Sequence, residues 1–516
     1  MRVALLAVLL VLLLPAAASA QFEVTGFSVT PSGLQAGSHP DVTIAAAFTP
    51  YNAGAPPEHV RDLTISLPPG LVGDPGSKPK CSQANFQADT CPAATRVGGT
   101  TVNTVIPLLL GLPIAATGDV YNVVPGAGEP ARLGVVVRPP LGAEKVFIVS
   151  PVRLRPSDGG LDSVITNMPS KVGIPLLGQV DMWIEGMSLT LETPFVSLPT
   201  SCAPAQATVA AVSGAGTTSS RAATPFTPTG CDKVPYAPGL EASIGNRRQP
   251  SLRTVITVPA GHASTAGAAV TLPAGITINS SALADTCTLA EQAAGPCPTR
   301  ARVGTALARS PLLPAPLTGQ VSLAAIAGQT LPGLRLDLTG PASLSLTGSV
   351  TGNPILTTFA GIPDVPLERF ELVFDAKRSL RAMKDFCRGP LPVVKAQLTG
   401  HNGAVANLRE PMAVTGCRKP ATTVKGRTLR IVAVRGGPAI SRVRVRLPRG
   451  MKVRIARADG TKVRAKRSGR TTTVRAAGAR EVVLKLRGKP RGKRAIAVRT
   501  LDASGREVLQ RRKARR

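Results

Sequence analysis

The stretch DLTISLPPGLVG, residues 62–73, alternates Leu63, Ile65 and Leu67 with Thr64 and Ser66, then breaks at Pro68-Pro69-Gly70. Apolar side chains at every second position turn one face toward a core and the other toward water, as in a half-buried strand. Proline cannot donate to the next ladder bond and glycine tolerates the dihedrals of a turn, so the strand ends there. The same device recurs in AAVTLPAGITI, residues 268–278, where Val270 and Leu272 precede Pro273-Ala274-Gly275, and in VRVRLPRGMKV, residues 443–453. None of these Leu-Pro-x-Gly elements has the continuation expected of a wall-sorting signal.

Working outward, short alternating segments fill the chain, punctuated by 51 Gly and 48 Pro in 516 residues, and no heptad pattern is sustained. This predicts an all-β protein of tandem β-sandwich-type domains. Helix is expected only between closely spaced cysteines and in ALADTCTLAEQAA, residues 282–294. Aromatic residues make up 3% of the chain, so the cores must be built from Val, Leu, Ile and Ala, with the lone Trp183 expected inside.

Eight cysteines stand at Cys81, Cys91, Cys202, Cys231, Cys287, Cys297, Cys387 and Cys417, a close pair followed by a wider pair, twice over. Cys91 and Cys297 both open the motif C-P-x-x-x-R-V-G, and both wider pairs end in T-G-C. This is an internal repeat. A spacing of ten residues suits neither a zinc site nor a C-x-x-C redox pair. The four histidines, His39, His59, His262 and His401, lie far from one another, so no metal is expected. Structural disulfides remain, and closing each repeat on itself selects Cys81–Cys91, Cys202–Cys231, Cys287–Cys297 and Cys387–Cys417.

Disulfides imply an oxidising compartment. The opening MRVALLAVLLVLLLPAAASA reads as a signal peptide over residues 1–20: Arg2, an apolar run from Val3 to Leu14, and Ala18-Ser19-Ala20 as the cleavage site. The run is too short for a membrane span, which needs about 20 residues. The apolar stretch Val105–Ala116 is interrupted by Pro107 and Pro113 and reads as buried strand and turn. The expected location is secreted or extracellular, at the cell envelope, without a transmembrane anchor after cleavage.

Charge is concentrated at the end. Residues 418–516 hold 33 Lys and Arg against four acidic residues, whereas the 417 residues before them hold 28 basic and 25 acidic. The segment still alternates: Val443, Val445 and Leu447 face one way, Arg442, Arg444 and Arg446 the other. Asp459-Gly460 joins two further alternating runs, a strong hairpin signal. An immunoglobulin-like sandwich of about seven strands fits this spacing. The domains are accordingly placed at 21–245 and 246–420 for the two stapled repeats and 421–506 for the basic sandwich, with GNRRQPS from Gly245 as a linker and 507–516 as a mobile basic tail.

The stretches QAGSHPDVT (35–43), LPPGLVGDP (67–75), VYNVVPGAGEPARLG (120–134), LPTSCAP (198–204) and PTGCDKVPYAP (228–238) resemble a family of large, secreted, repeat-bearing actinobacterial proteins. The likeness covers residues 30–240 well and 265–417 more loosely. It implies an exported, disulfide-bearing β protein and carries over no catalytic residue.

No G-x-S-x-G, H-E-x-x-H, P-loop, G-x-G-x-x-G or EF-hand run occurs, and GAGEPAR at Gly126 reads as a turn. His39 and Asp41 are expected to share a local turn rather than act as a base. A surface so uniformly cationic attracts polyanions. Arg442, Arg444, Arg446, Lys452, Arg454, Lys462 and Arg464 are therefore the candidate polyanion-binding residues, and anionic cell-wall polymer or an acidic membrane surface the candidate partner. Nucleic acid is disfavoured, since residues 418–516 contain no Phe, Tyr or Trp to stack on bases. The expected function is a non-enzymatic envelope structural or adhesive protein, with no cofactor. The alternatives are a module binding an apolar or glycan ligand, through Val105–Ala116 or SPLLPAPLTG at Ser310, and an unrecognised secreted hydrolase.

Overall fold

The structure is a computed structural model that describes residues 22–513 except 110, 141, 247, 388, 389, 436, 492–494 and 504. The signal peptide expected at residues 1–20 lies outside the described residues. The Asp62–Leu67 alternation forms the strand Val60–Leu67, with Leu63 buried. The three Leu-Pro-x-Gly turns share one backbone solution: Gly70, Gly275 and Gly450 sit at φ +86°, +92° and +82°.

The chain is all-β. Its first repeat is an eleven-stranded antiparallel sheet and its second a twelve-stranded one, and the two have the same strand order. At one edge a hairpin, Val24–Pro31 with Val42–Phe48, corresponds to Gly239–Gly245 with Leu252–Thr257. Beside it lies a late strand, Trp183–Leu191 in the first repeat and Arg369–Phe374 in the second. A five-strand meander follows, from Arg96–Val105 to Leu161–Ile165 and from Arg302–Arg309 to Leu356–Phe359. Then come Val60–Leu67 and Thr265–Thr271, and finally the hairpins Thr208–Ser213 with Thr218–Ala222 and Val393–Gly400 with Val405–Pro411. The second sheet adds only Ala413–Thr415, parallel to Gly239–Gly245. The main sheet is thus duplicated strand for strand even where the sequence match is loose, while the hairpin Lys171–Ile174 with Gly178–Asp181 occurs, among the described residues, in the first repeat alone.

Each sheet wraps until its edges meet. In the first repeat the Val24 N–H donates to Ser219 Oγ at 3.0 Å. In the second, Ala413–Thr415 bridges the two edges through its pairing with Ser243–Gly245. The two layers of each sandwich are halves of one sheet, packed around Val, Leu, Ile and Ala.

This duplication moves the boundary between repeats. Gly239–Gly245, assigned from sequence to the first repeat, is the opening strand of the second, with Leu240 and Ile244 buried in its core. The expected linker from Gly245 is instead the loop of the hairpin joining Gly239–Gly245 to Leu252–Thr257. Arg and Gln in that loop lack the apolar alternation of a strand, but the alternation on either side was strand sequence on one continuous hairpin.

Residues 421–513 form two five-stranded sheets packed face to face. Val443, Val445, Val482, Leu484, Ile496 and Val498 fill the space between them. Asp459 and Gly460 make the turn between Lys452–Ala458 and Thr461–Lys462, at φ +45° and +81°. Residues 507–513 correct the expected mobile tail: Glu507–Lys513 is an edge strand paired with Ala495–Asp502. Arg511 faces outward, whereas Gln510 Nε2 donates to Pro420 O at 2.7 Å and Arg512 Nε, on the same side, donates to Thr422 O at 2.7 Å.

Candidate functional site

All four expected disulfides are present, with Cα–Cα separations of 5.4, 6.0, 5.7 and 5.6 Å. The helices Gln83–Gln87 and Leu289–Ala294 sit inside the close pairs, capped by Ser82 and Thr288. Each close pair is anchored to the meander in the same way. Cys81 N–H donates to Asn122 O at 2.8 Å and its carbonyl accepts from Val124 N at 2.9 Å. Cys287 repeats this with Leu323 O at 2.9 Å and Ala325 N at 2.8 Å. The bridges are staples holding a capped helical turn against a sheet.

The seven candidate cationic residues do not form one patch. Arg442, Arg444 and Arg446 project from Ile440–Arg446, in one sheet of the sandwich. Lys452, Arg454 and Lys462 belong to the other sheet, whose outer face looks away from the first, and Arg464 lies on the connection between the two sheets. Arg454 stands at a bulge, where Val453 and Ile455 face consecutive residues of the neighbouring strand. The sequence placed both runs in strands, but only the pairing order reveals that they belong to different sheets.

The first face is joined by residues the sequence reading omitted. Arg444 lies directly across from Arg499 on one side, and Arg442 directly across from Arg475 on the other. Among the described residues none of Arg442, Arg444, Arg446 and Arg475 is in an ion pair; Arg499 approaches Glu507 at 3.5 Å. On the second face Arg430 is bound by Glu481. Some arginines of this domain serve structure: Arg506 donates to the carbonyls of Cys387 and Phe386 in the second repeat, Arg480 to those of Val434 and Gly437, and Arg470 to that of Leu447.

The polar residues weighed for chemistry take up local structural roles. His39 Nδ1 meets Ser197 Oγ at 2.8 Å, while Asp41 Oδ1 accepts from Thr193 N at 2.7 Å, so the two do not share a turn. The GAGEPAR loop is a hairpin turn closed by Glu129, which accepts from Gly126 N at 2.9 Å and from Arg132 at 2.8 Å. Asp89 is held by Arg138 at 2.9 Å and Lys145 at 2.6 Å, and Asp74 caps its own turn through Gly76 N. Arg132 keeps the Glu129 carboxyl below its ordinary range, and Lys145 does the same for Asp89. Trp183 is half-buried rather than central, stacked on His59 at 4.2 Å with its Nε1 donating to Pro57 O.

Of the two apolar stretches considered for ligands, Val105–Ala116 is only partly buried: Val105 and Ile106 are covered, whereas Leu108 and Leu112 are exposed in the loop. Leu109 instead packs against the small cluster of Ile106, Val172 and Ile174. The other, at Ser310, places Leu312 and Leu313 against a cavity between the repeats. Among the described residues no helix is long and apolar enough to cross a membrane, and no group of three His, Cys, Asp or Glu could hold a metal ion.

No family profile matches the chain, and no curated protein matches it. Among solved structures, the major pilin subunit of Bacillus cereus aligns with 82% of this chain and 92% of its own at 8% identity and a TM-score of 0.19. A backbone pilin of Streptococcus pyogenes aligns with 88% of this chain and 78% of its own at 7% identity and a TM-score of 0.17. Scores of this size assign no common fold.

Proposed function

We propose that this chain is a non-enzymatic extracellular protein of the cell envelope, held against an anionic wall polymer by its C-terminal sandwich. The observation that carries the reading is the opposition of Arg444 to Arg499 and of Arg442 to Arg475 on adjacent strands. Like charges directly opposite on a sheet destabilise it by several tenths of a kcal/mol, roughly 0.2–1 per pair. A solvated face ordinarily mixes signs, which avoids this cost. An anionic chain laid along the strands relieves the repulsion and gains a row of charge-assisted contacts. Four disulfides support an oxidising location outside the cytoplasm. The carboxylates Asp89 and Glu129 are kept ionised by cations, which suits ion pairing rather than proton donation.

The test compares the full chain with an Arg442→Glu/Arg444→Glu/Arg499→Glu variant for cosedimentation with purified anionic wall polymer and with acidic phospholipid vesicles. The full chain is expected to bind the polymer at low salt and be released as salt rises, while the variant, equally folded by circular dichroism, stays in solution. Equal binding by both proteins overturns the reading, and binding to vesicles alone replaces the polymer with a membrane surface.

A further inference from the structure

The two wrapped sheets adjoin, and the space between their inner side chains is not filled where they meet. A partly open cavity of about 200 Å³ occupies the inside of the first repeat and reaches into the second. Its walls are the inward positions of successive strands: Leu133, Val135 and Val137 on one, Ile148, Val152 and Leu154 on the next. From the second repeat Ala308, Leu338, Leu344 and Phe370 line it. A second cavity of about 120 Å³ runs on inside the second repeat, and Leu346, Ile362, Leu367 and Phe370 border both. The cavities therefore adjoin, separated by these side chains, which are themselves only half-buried. The lined part of one strand, from Ile148 to Leu154, alone spans about 20 Å at 3.3 Å per residue.

The chemistry of the lining is uniform. No charged side chain borders either cavity, and the polar ones are hydroxyls such as Thr100, Ser150, Ser163 and Thr265. Ser150 and Ser163 satisfy each other at 2.6 Å, and Thr265 meets the Tyr236 hydroxyl at 3.1 Å. Water entering this space finds few partners. An apolar cavity of about 150 Å³ stays dry and takes up a benzene-sized molecule, and an empty one forfeits the dispersion contacts its walls would make. Inner-face residues of the first sheet, Ile65, Leu67, Ile148 and Leu189, are accordingly only partly covered by protein.

We propose that the tandem repeats form one binding site for a lipid, whose hydrocarbon chain lies in the apolar interior and crosses from the first sheet into the second. The walls are apolar, mostly Val, Leu and Ile with Phe195 and Phe370 among them, both repeats contribute to them, and they lack the charged or amide side chains that would recognise a glycan. The site explains why the repeat is duplicated: each copy supplies half of a channel that neither has the length to enclose alone. It does not rest on retention by the C-terminal sandwich, which lies elsewhere in the chain.

The test uses the full chain in solution without any anionic surface. Organic extraction of protein purified from its native host, followed by mass spectrometry, is expected to release an acyl lipid at near-stoichiometric amount. Stripped protein is expected to bind the fluorescent fatty acid cis-parinarate, and saturated fatty acids should displace it with affinity rising about fourfold per added methylene until the channel is filled. Ala308→Phe, which places a ring at the junction, is expected to weaken cis-parinarate binding at least tenfold while leaving the thermal midpoint unchanged or raised. Should that variant not fold, the chain-length series still decides. No extractable lipid together with no uptake, affinity independent of chain length, unchanged binding by folded Ala308→Phe, or preference for a sterol or a glycan over an acyl chain each overturn the proposal. Loss of surface retention with lipid binding intact leaves it standing.

Discussion

Asp364, on the loop between the second repeat's meander and its late strand, accepts two hydrogen bonds from Thr200 of the first repeat, from the backbone N at 2.8 Å and from Oγ1 at 2.7 Å. Ser201 N adds a third at 3.3 Å, and the residue is only 4% exposed. A single carboxylate thus ties the loop before the second repeat's late strand to the segment that precedes the first repeat's second disulfide.

Replacing Asp364 with alanine leaves these donors unsatisfied beside a buried site, which costs about 1–3 kcal/mol. The expected outcome is a lower thermal midpoint and faster proteolysis between the repeats, in the segment 224–238. Asp364→Asn keeps one acceptor oxygen and should lose less. A variant with alanine at this position and unchanged melting and proteolysis would show that the bond does not couple the repeats.

The three Leu-Pro-x-Gly turns differ in what surrounds their glycines. A methyl group on Gly70 would stand 2.8 Å from both Asp364 Oδ2 and the Pro199 Cβ, and one on Gly450 would stand 2.4 Å from the Lys489 carbonyl oxygen. At Gly275 the nearest atoms are the flexible Lys384 side chain, from 3.0 Å. All three glycines hold positive φ, so alanine is strained at each by about 1 kcal/mol. Thermal unfolding is expected to show Gly70→Ala and Gly450→Ala more destabilised than Gly275→Ala, by roughly a further 1–2 kcal/mol for the backbone and packing clash. Equal losses at the three positions would mean that conformation alone sets the cost.

Glu129 has its carboxyl held below the ordinary glutamate value of 4.5, first by hydrogen bonds from Arg132, then by the Gly126 N–H, against the opposing effect of burial. Its unfolded form binds a proton more readily than the folded one. The stability it contributes is therefore complete above about pH 5 and is lost as pH falls through 4.5 toward the lower folded value. Glu129→Gln is expected to be less stable than the parent at neutral pH, with a shallower decline on acidification, read from chemical denaturation across that range. Parallel curves for the two proteins would remove Glu129 from the acid response.

What the sequence by itself determined is local. The alternation in 62–67 and 442–447, the Leu-Pro-x-Gly turns and the Asp459-Gly460 hairpin each depend on side chains and backbone angles within a few residues, and each formed as read. The disulfide pairing was also legible, because duplication restricts partners to neighbours in the same repeat. Tertiary structure alone decided the rest. Period-two alternation fixes which side chains share a face but not which strand lies alongside, so Gly239–Gly245 could be assigned to its repeat only by pairing with Leu252–Thr257. The same limit hid that Arg442 and Lys452 lie on opposite faces of one sandwich. It also hid the apolar channel, whose walls at Ile148 and Phe370 are brought together from positions more than two hundred residues apart by closure of two sheets, an outcome set by long-range packing rather than by any segment's own pattern.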